Sequence, residues 1–110
     1  VSIGLELDSW SNAVYTSDKL KEIVAIQYIA QSFTPRMKRL TGGTFIKEFL
    51  DNARSVIHGT ASQKGFFYFA NEIQLAALLN TLGVYDNSVP AFLSAIIFEL
   101  HDIDGEFYVR

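Results

Sequence analysis

The chain has 110 residues, of which 49% are hydrophobic, 14% aromatic and 19% charged, and its formal net charge is −3. This length suits one domain with a buried core, and this composition excludes an intrinsically disordered chain. The basic residues are scattered apart from one short cluster, so the basic surface that nucleic acid requires is missing and nucleic acid is not an expected partner.

The chain contains no cysteine, which excludes disulfides, thiolate metal sites and a cysteine nucleophile within these residues. No apolar run reaches the ~18 residues that a membrane helix needs, so no membrane partner is expected. No second metal-binding side chain lies at ligand spacing from His58, and no metal site is predicted. The chain opens on Val1 rather than Met and ends at Arg110 within a predicted strand, which predicts a segment of a longer protein.

The first predicted helix follows an extended arm or loop over residues 1–15. Ser17 is a suitable N-cap, and Asp18 places an acidic side chain in the first turn, where the helix dipole favours it. A broad apolar face follows. The helix must end before Pro35, because proline keeps the preceding Thr34 out of the helical region.

A second helix is predicted after a connection over residues 34–43, whose Lys38 and Arg39 are expected to be solvated. Thr44 is predicted to cap this helix and Gly59 to end it. Its apolar residues recur at helical spacing on one side, which is typical of a surface helix. The glycine pair before Thr44 lacks the Lys-Ser or Lys-Thr of a P-loop, and we interpret it as a tight helix start.

The stretch over residues 65–83 changes its hydrophobic period halfway. Residues 66–70 form an unbroken aromatic and apolar run, which predicts a strand covered on both faces. Residues 73–82 are almost all apolar and precede a glycine, which predicts a buried helix. Asn71 and Glu72 therefore lie at a strand-to-helix turn. In open α/β sheets ligands bind beyond the carboxyl ends of strands, so this turn is the candidate site.

The last part of the chain predicts a loop and a closing hairpin. Residues 84–90 are rich in turn formers, and residues 92–100 alternate loosely with strong strand propensity. A turn at residues 101–105 then leads to a final strand at residues 106–109. The order of elements predicts an α/β fold with a mixed sheet and flanking helices.

Three stretches in a fixed order carry a family resemblance. They are Met37-Lys38-Arg39-Leu40-Thr41-Gly42-Gly43 before a helix, Phe67-Tyr68-Phe69-Ala70-Asn71-Glu72 with Leu82-Gly83-Val84-Tyr85 behind it, and Pro90-Ala91-Phe92 through a hairpin to Val109. With Asp8-Ser9-Trp10, they resemble the C-terminal part of the histidine acid phosphatases, a branch of the histidine phosphatase superfamily. The resemblance implies part of a three-layer sandwich, in which residues 1–110 are a single segment of the catalytic domain.

The resemblance also implies a chemistry. In this family a histidine of an Arg-His-Gly motif attacks phosphorus, and an acid protonates the departing oxygen. The chain has no such motif, since its two histidines are His58 and His101. Where the family carries His-Asp, this sequence has Asn71-Glu72. The resemblance thus makes Glu72 the candidate proton donor and Asn71 a substitute phosphate contact, without any cofactor.

Each candidate residue also has a purely structural interpretation. Glu72 fits a first-turn acid that the helix dipole stabilises, and Asn71 fits an N-cap, a role that its position slightly favours. Asparagine can donate a neutral hydrogen bond to phosphate but cannot become a cation, whereas glutamate keeps a carboxyl group that can transfer a proton. His58 and His101 fit a helix-end cation and a turn residue.

The leading hypothesis is a portion of an acid phosphatase-like phosphomonoesterase that supplies the proton-donor side of the site and is inactive alone. Its expected partners are a phosphate monoester substrate, the missing N-terminal portion of the same domain and a second copy in a homodimer. Family analogy implies a secreted or lysosomal protein. The alternative is a catalytically degenerate family member that acts as a binding or interaction protein, which the Asn71-Glu72 replacement favours. An unrelated free-standing α/β domain is disfavoured, because the central strand needs partners that the chain does not contain.

Overall fold

The computed structural model describes residue 4, residue 6, residues 8–15 and residues 17–110. Its elements, in chain order, are a 3₁₀ turn (Ser9–Ser11), α1 (Asn12–Tyr15), α2 (Asp18–Ala30), α3 (Pro35–Leu40), α4 (Gly42–Ile57), α5 (Glu72–Leu82), β1 (Leu100–Ile103) and β2 (Glu106–Val109). Helices and a sheet are both present, which is consistent with the predicted α/β class. The predicted extended arm is wrong over residues 9–15, which are helical, and residues 1–3, 5 and 7 lie outside the described residues.

The start of α2 follows the local chemistry of the sequence. The Ser17 hydroxyl accepts a hydrogen bond from the Leu20 N–H at 3.3 Å, so the predicted N-cap is confirmed. The helix ends at Ala30, before Pro35, as the proline requires.

Two predictions in the next part of the chain are wrong. The connection after Thr34 contains the short helix α3, which Thr34 caps by accepting from the Met37 N–H at 3.2 Å, with Pro35 in the first turn. Thr44 does not cap α4, because that helix already begins at Gly42, and the Thr44 hydroxyl donates to the Thr41 carbonyl at 2.7 Å. The predicted end is confirmed, since Gly59 follows the helix with a φ of 68°.

The helices pack mainly on one another. Contacts join α4 with α5, α3 with α4, and both α2 and α3 with α5. The most buried apolar side chains are mostly small, namely Ala25, Tyr28, Ala53, Ala76, Ala77 and Leu78. Small side chains let the helix axes approach closely, so this core is held by close backbone packing as much as by large side chains.

The predicted strand over residues 66–70 is wrong. These residues form no ladder and make no backbone hydrogen bond with any described residue. Their exposure alternates: Tyr68 packs its ring on Phe45 of α4 at a centroid distance of 4.9 Å, whereas Phe67 and Phe69 are 89% and 100% exposed. The alternation is typical of an extended chain, but no neighbouring strand among the described residues completes a sheet.

The closing hairpin is confirmed, with different bounds. β1 and β2 pair antiparallel, with Leu100 opposite Val109 and Ile103 opposite Glu106. Asp104 and Gly105 form the turn, with φ angles of 54° and 87° that suit a two-residue hairpin loop. The predicted strand over residues 92–100 is therefore wrong for most of its length, and the predicted turn at residues 101–105 is too long.

The molecule is elongated, with a radius of gyration of 18.6 Å and extents of 61 × 32 × 22 Å. A compact domain of this length would have a radius of gyration of about 13 Å. The most extensive contacts join helix with helix and β1 with β2. The ring of Phe98, just before β1, packs against the rings of Phe45 and Phe49 on α4. None of the described helices is both long and apolar enough to cross a lipid bilayer.

Candidate functional site

Asn71 begins α5 with a reciprocal pair of hydrogen bonds. Its Oδ1 accepts from the Gln74 N–H at 3.0 Å, and the Gln74 Oε1 accepts from the Asn71 N–H at 3.1 Å. This capping box satisfies two of the helix N-terminal donors. The N-cap interpretation of Asn71 is confirmed, and the side-chain Nδ2 makes no hydrogen bond with a described residue.

Glu72 is the first residue of α5 and is exposed. Among the described residues its carboxylate takes part in none of the ion pairs. Its position beside the unpaired N–H groups of the first turn is favourable for a negative charge. The structure thus brings Asn71 and Glu72 together at one exposed helix N-terminus, as the sequence predicts.

The described residues do not form a cleft around this pair. One cavity of about 420 Å³ lies between α5 and the segment after it, where Leu79 and Tyr85 contribute to its wall. A second, of about 350 Å³, lies between the C-terminal half of α4, residues 61–66 and Leu100. Neither cavity is lined by Asn71 or Glu72, so a closed site at this turn would need groups from beyond these residues.

The C-terminal half of α5 is held by a polar network that the sequence did not predict. The Lys38 Nζ donates to the Asn80 carbonyl at 2.7 Å, and the Asn80 Nδ2 donates to the Ser32 carbonyl at 3.0 Å and to its hydroxyl at 2.8 Å. Ser32 is fully buried. The expectation that Lys38 is solvated is therefore wrong. The signal in the sequence is Asn80, a polar residue that follows the apolar run over residues 75–79 of the helix.

Gly42 sets the distance between α4 and α5. A Cβ atom at this position would lie 2.5 Å from the Thr81 Oγ1 and 2.9 Å from the Leu78 Cα. Only glycine fits so close to a neighbouring backbone. The interpretation of the glycine pair as a tight helix start agrees with this geometry, and the contact fixes α5 relative to α4.

The segment before Asn71 is held on α4 by a second network. The Tyr68 hydroxyl donates to the Glu48 Oε1 at 2.9 Å and accepts from the Asn52 Nδ2 at 3.2 Å. The hydrogen bond to the Glu48 carboxylate raises the pKa of Tyr68 above its usual value. Glu48 and Asn52 lie one turn apart on α4, so both reach the same ring. The sequence predicted none of these contacts.

The two histidines lie apart from the candidate pair. His58 is the C-cap of α4, in agreement with the predicted helix-end position. His101 lies in β1 rather than in the turn, and its Nε2 is 3.3 Å from the Glu99 carboxylate. Among the described residues no three metal-binding side chains cluster.

Comparison with known proteins identifies the family. Residues 8–110 match the sequence model of the histidine phosphatase superfamily (branch 2). The chain therefore belongs to this superfamily, and its relatives are acid phosphatases, so the resemblance to the histidine acid phosphatases is confirmed. No solved structure matches the chain.

Several curated relatives match nearly the whole chain. Identity is 34% to the venom acid phosphatase of Apis mellifera over 99% of this chain, and 31% to the prostatic acid phosphatase of Bos taurus over 94%. It is 26% to the prostatic acid phosphatase of Homo sapiens over 94%. The chain spans only 29%, 27% and 28% of these relatives' lengths. The roles of Asn71 and Glu72 stay predictions.

Proposed function

We propose that this chain is the portion of an acid phosphatase-like phosphomonoesterase that supplies the proton-donor side of the active site. The observation that carries the proposal is the exposed Glu72 carboxyl group at the N-terminus of α5 in a member of this family. The nucleophilic histidine belongs to another part of the same domain. The substrate is a phosphate monoester.

In the proposed reaction the other part of the domain supplies the nucleophile and this chain supplies the proton donor. The histidine nitrogen forms a bond to phosphorus while the bond from phosphorus to the ester oxygen breaks. Protonated Glu72 gives its proton to that oxygen, which leaves as an alcohol, and the carboxylate then takes a proton from the water that hydrolyses the phosphohistidine. Each step then conserves charge and atoms, and no cofactor takes part.

Asn71 combines two roles in this proposal. Its Oδ1 is committed to the capping box, which leaves the Nδ2 as a donor for a phosphate oxygen. The bond would be neutral rather than charge-assisted, so it would hold phosphate more weakly than a histidinium does. The helix N-terminus adds a favourable field for the anion.

The three-layer sandwich is also part of the proposal. Two observations support it: residues 62–70 have no backbone partners among the described residues, and the chain spans less than a third of its relatives. The remaining portion of the domain would supply the missing strands. A secreted or lysosomal location is proposed from the same family analogy.

The test is turnover of a chromogenic phosphate ester at acid pH by the complete protein. Glu72→Gln keeps the size of the side chain but removes the proton, and we expect the rate to fall about 10²–10⁴-fold. The matched control is Asp18→Asn, which removes the first-turn acid of another helix and should leave the rate unchanged. Equal rates for Glu72→Gln and the unmodified protein would refute the assignment. The 110-residue chain alone should show no turnover and no phosphohistidine.

A second candidate function is a catalytically degenerate protein that binds phosphate esters or another partner without turnover. It is favoured by the engagement of the Asn71 Oδ1 in helix capping and by the inability of asparagine to carry positive charge. Titration of the complete protein with inorganic phosphate separates the two candidates. Phosphate binding without ester hydrolysis would support the degenerate protein, and hydrolysis would exclude it.

A further inference from the structure

The hydroxyl group of Tyr68 is the single polar side-chain atom in an aromatic run. Residues 66–69 are otherwise phenylalanines. Packing on a helix needs only the ring, and the Tyr68 ring does pack edge to face on Phe45 of α4, at an interplanar angle of 81°. The hydroxyl group therefore has a role other than apolar packing.

Two side chains of α4 fix the direction of this hydroxyl group. It donates to the Glu48 Oε1 at 2.9 Å and accepts from the Asn52 Nδ2 at 3.2 Å. A hydrogen bond to a carboxylate is charge-assisted and stronger than a neutral one. It also raises the pKa of Tyr68, so the phenol keeps its proton in acid. All of these contacts are made within the described residues and do not depend on the remainder of the domain.

The contact lies directly before the candidate pair. Tyr68 is three residues before Asn71 and four before Glu72. Glu72 is exposed and takes part in none of the ion pairs among the described residues. Its carboxyl group is therefore placed by the backbone that carries it, and that backbone enters α5 from Tyr68.

The other end of α5 is also held by its neighbours. Gly42 at the start of α4 lies against the backbone of Leu78, and Lys38 of α3 donates to the Asn80 carbonyl. Both contacts are in the C-terminal half of α5. The contact of Tyr68 with α4 fixes the segment at the opposite end, so α4 holds α5 near both of its ends.

We propose that Tyr68 is a positioning residue for the proton donor: its hydroxyl group, held by Glu48 and Asn52, fixes the segment that leads into Glu72. The inference rests on the proposed function of Glu72. Tyr68 acts through the backbone and does not touch the substrate. A displacement of about 1 Å at a reacting group can lower a rate about 10²-fold, so even a weak contact has a large effect on the reaction.

Two esters that differ in their need for a proton test the proposal on the complete protein. Nitrophenolate leaves as a stable anion, whereas the alkoxide of ethyl phosphate must be protonated as it leaves. We expect Tyr68→Phe, which keeps the ring and removes the hydroxyl group, to lower kcat/KM about tenfold or more for ethyl phosphate. The fall for nitrophenyl phosphate should be clearly smaller.

The comparison of the two esters separates positioning from a general loss of structure. In the proposed reaction kcat/KM reports the steps up to release of the alcohol and not the later hydrolysis of the phosphohistidine. A purely structural defect would reduce the amount of active protein and lower kcat/KM by the same factor for both esters.

Tyr108→Phe is the matched control. The Tyr108 hydroxyl group also donates to a carboxylate, that of Glu106. Both residues lie on β2 rather than on the segment before α5. The substitution should leave kcat/KM unchanged for both esters.

Substitutions of Glu48 test whether the hydrogen bond itself matters. Glu48→Gln keeps an oxygen that can accept from the Tyr68 hydroxyl group and should retain most of the activity on ethyl phosphate. Glu48→Ala removes the acceptor and should reproduce the selective loss. Combined with Tyr68→Phe, it should add little to either single loss, because both changes remove the same bond. Far-UV circular dichroism of each variant checks that the helices are retained.

Three results would overturn the proposal. One is an unchanged kcat/KM for ethyl phosphate in Tyr68→Phe, and another is an equal fall for both esters. The third is a loss in the double variant that equals the product of the two single losses.

Glu72→Gln, measured on the same esters, separates this inference from the proposed function. A selective loss in Glu72→Gln without one in Tyr68→Phe refutes the positioning role alone. Glu72→Gln without a selective loss, or no turnover of either ester by the unmodified protein, refutes the proposed function and this inference with it.

Discussion

The helices and the extended segments of this chain differ in where their backbone hydrogen bonds can be made. An α-helix pairs its own N–H and C=O groups, so α2 to α5 form and pack within these residues. A strand must pair with another strand, and residues 62–70 have none among the described residues. The comparison teaches that the helices and the β1–β2 hairpin make their backbone pairs within the described residues, whereas residues 62–70 do not.

Hydrogen exchange should show the largest difference between the two halves. We expect the amides of residues 62–70 to exchange within a factor of about ten of the unfolded rate, because they have no backbone partners among the described residues. The inner amides of α4 and α5 should exchange only through opening of the helical core. Mass spectrometry of peptides from the exchanged protein measures both regions at once. Strong protection of residues 62–70 would contradict the comparison, because it would require backbone partners that the described residues do not show.

Gly42→Ala should produce the largest loss of stability in the helical half. The added Cβ would meet the backbone of Leu78 at 2.9 Å, which no side-chain rotation can relieve, so α4 and α5 must move apart. Overpacking of this kind costs about 1–3 kcal/mol. Urea unfolding followed by circular dichroism measures it.

Gly65→Ala is the matched control for this substitution. A Cβ at Gly65 would lie 3.5 Å from the nearest atom, an ordinary contact distance on the flexible ring of Phe67. We expect its free energy of unfolding to change little. A loss as large as that of Gly42→Ala would mean that the extended segment contributes to the stability of the core.

The parts of the fold that the sequence predicted are those that local chemistry decides. The Ser17 cap, the end before Pro35, the glycine after α5 and a hairpin turn within residues 101–105 each depend on a few neighbouring residues. The prediction of a strand at residues 66–70 is wrong, because an apolar pattern indicates that a segment suits a covered strand but does not show whether a partner strand is present.

In the candidate site, too, the features that neighbouring residues decide were predicted and the contacts between distant residues were not. The position of Asn71 and Glu72 at a helix start follows from the change of period before α5, and the structure agrees. The network of Lys38, Asn80 and Ser32 joins residues 42 and 48 positions apart. No local pattern predicts contacts at such separations, and for this reason Lys38 was wrongly predicted to be solvated.

Asn71→Ala separates the structural role of this residue from its proposed role in binding. Loss of the cap should destabilise the protein by about 1 kcal/mol, whether or not the residue ever contacts phosphate. Asn71→Asp keeps an oxygen for the Gln74 N–H and should retain the stability, while its negative charge would oppose a phosphate. Urea unfolding of the two variants checks this order, and a stable Asn71→Asp that still binds phosphate would argue against the contact.

The smallest expected effect concerns a surface charge on α4. The hydrogen bond from Lys47, with the nearby charges of Lys47 and Arg54, holds the pKa of Asp51 below its usual range. A lowered folded-state pKa adds stability at pH values above the unfolded pKa, and this stability is lost as the pH falls through the folded value. Asp51→Asn should therefore cause a small loss of stability near neutral pH that disappears in acid.

Urea unfolding of the two proteins at neutral and acid pH measures this difference, and added salt should reduce it because all three side chains are exposed to solvent. A difference that persists in acid would have to come from something other than charge. A large loss near neutral pH that salt removes would mean that surface ion pairs rather than close helix packing hold the helices together. That result would contradict the view that close packing among α2 to α5 is what stabilises the helices.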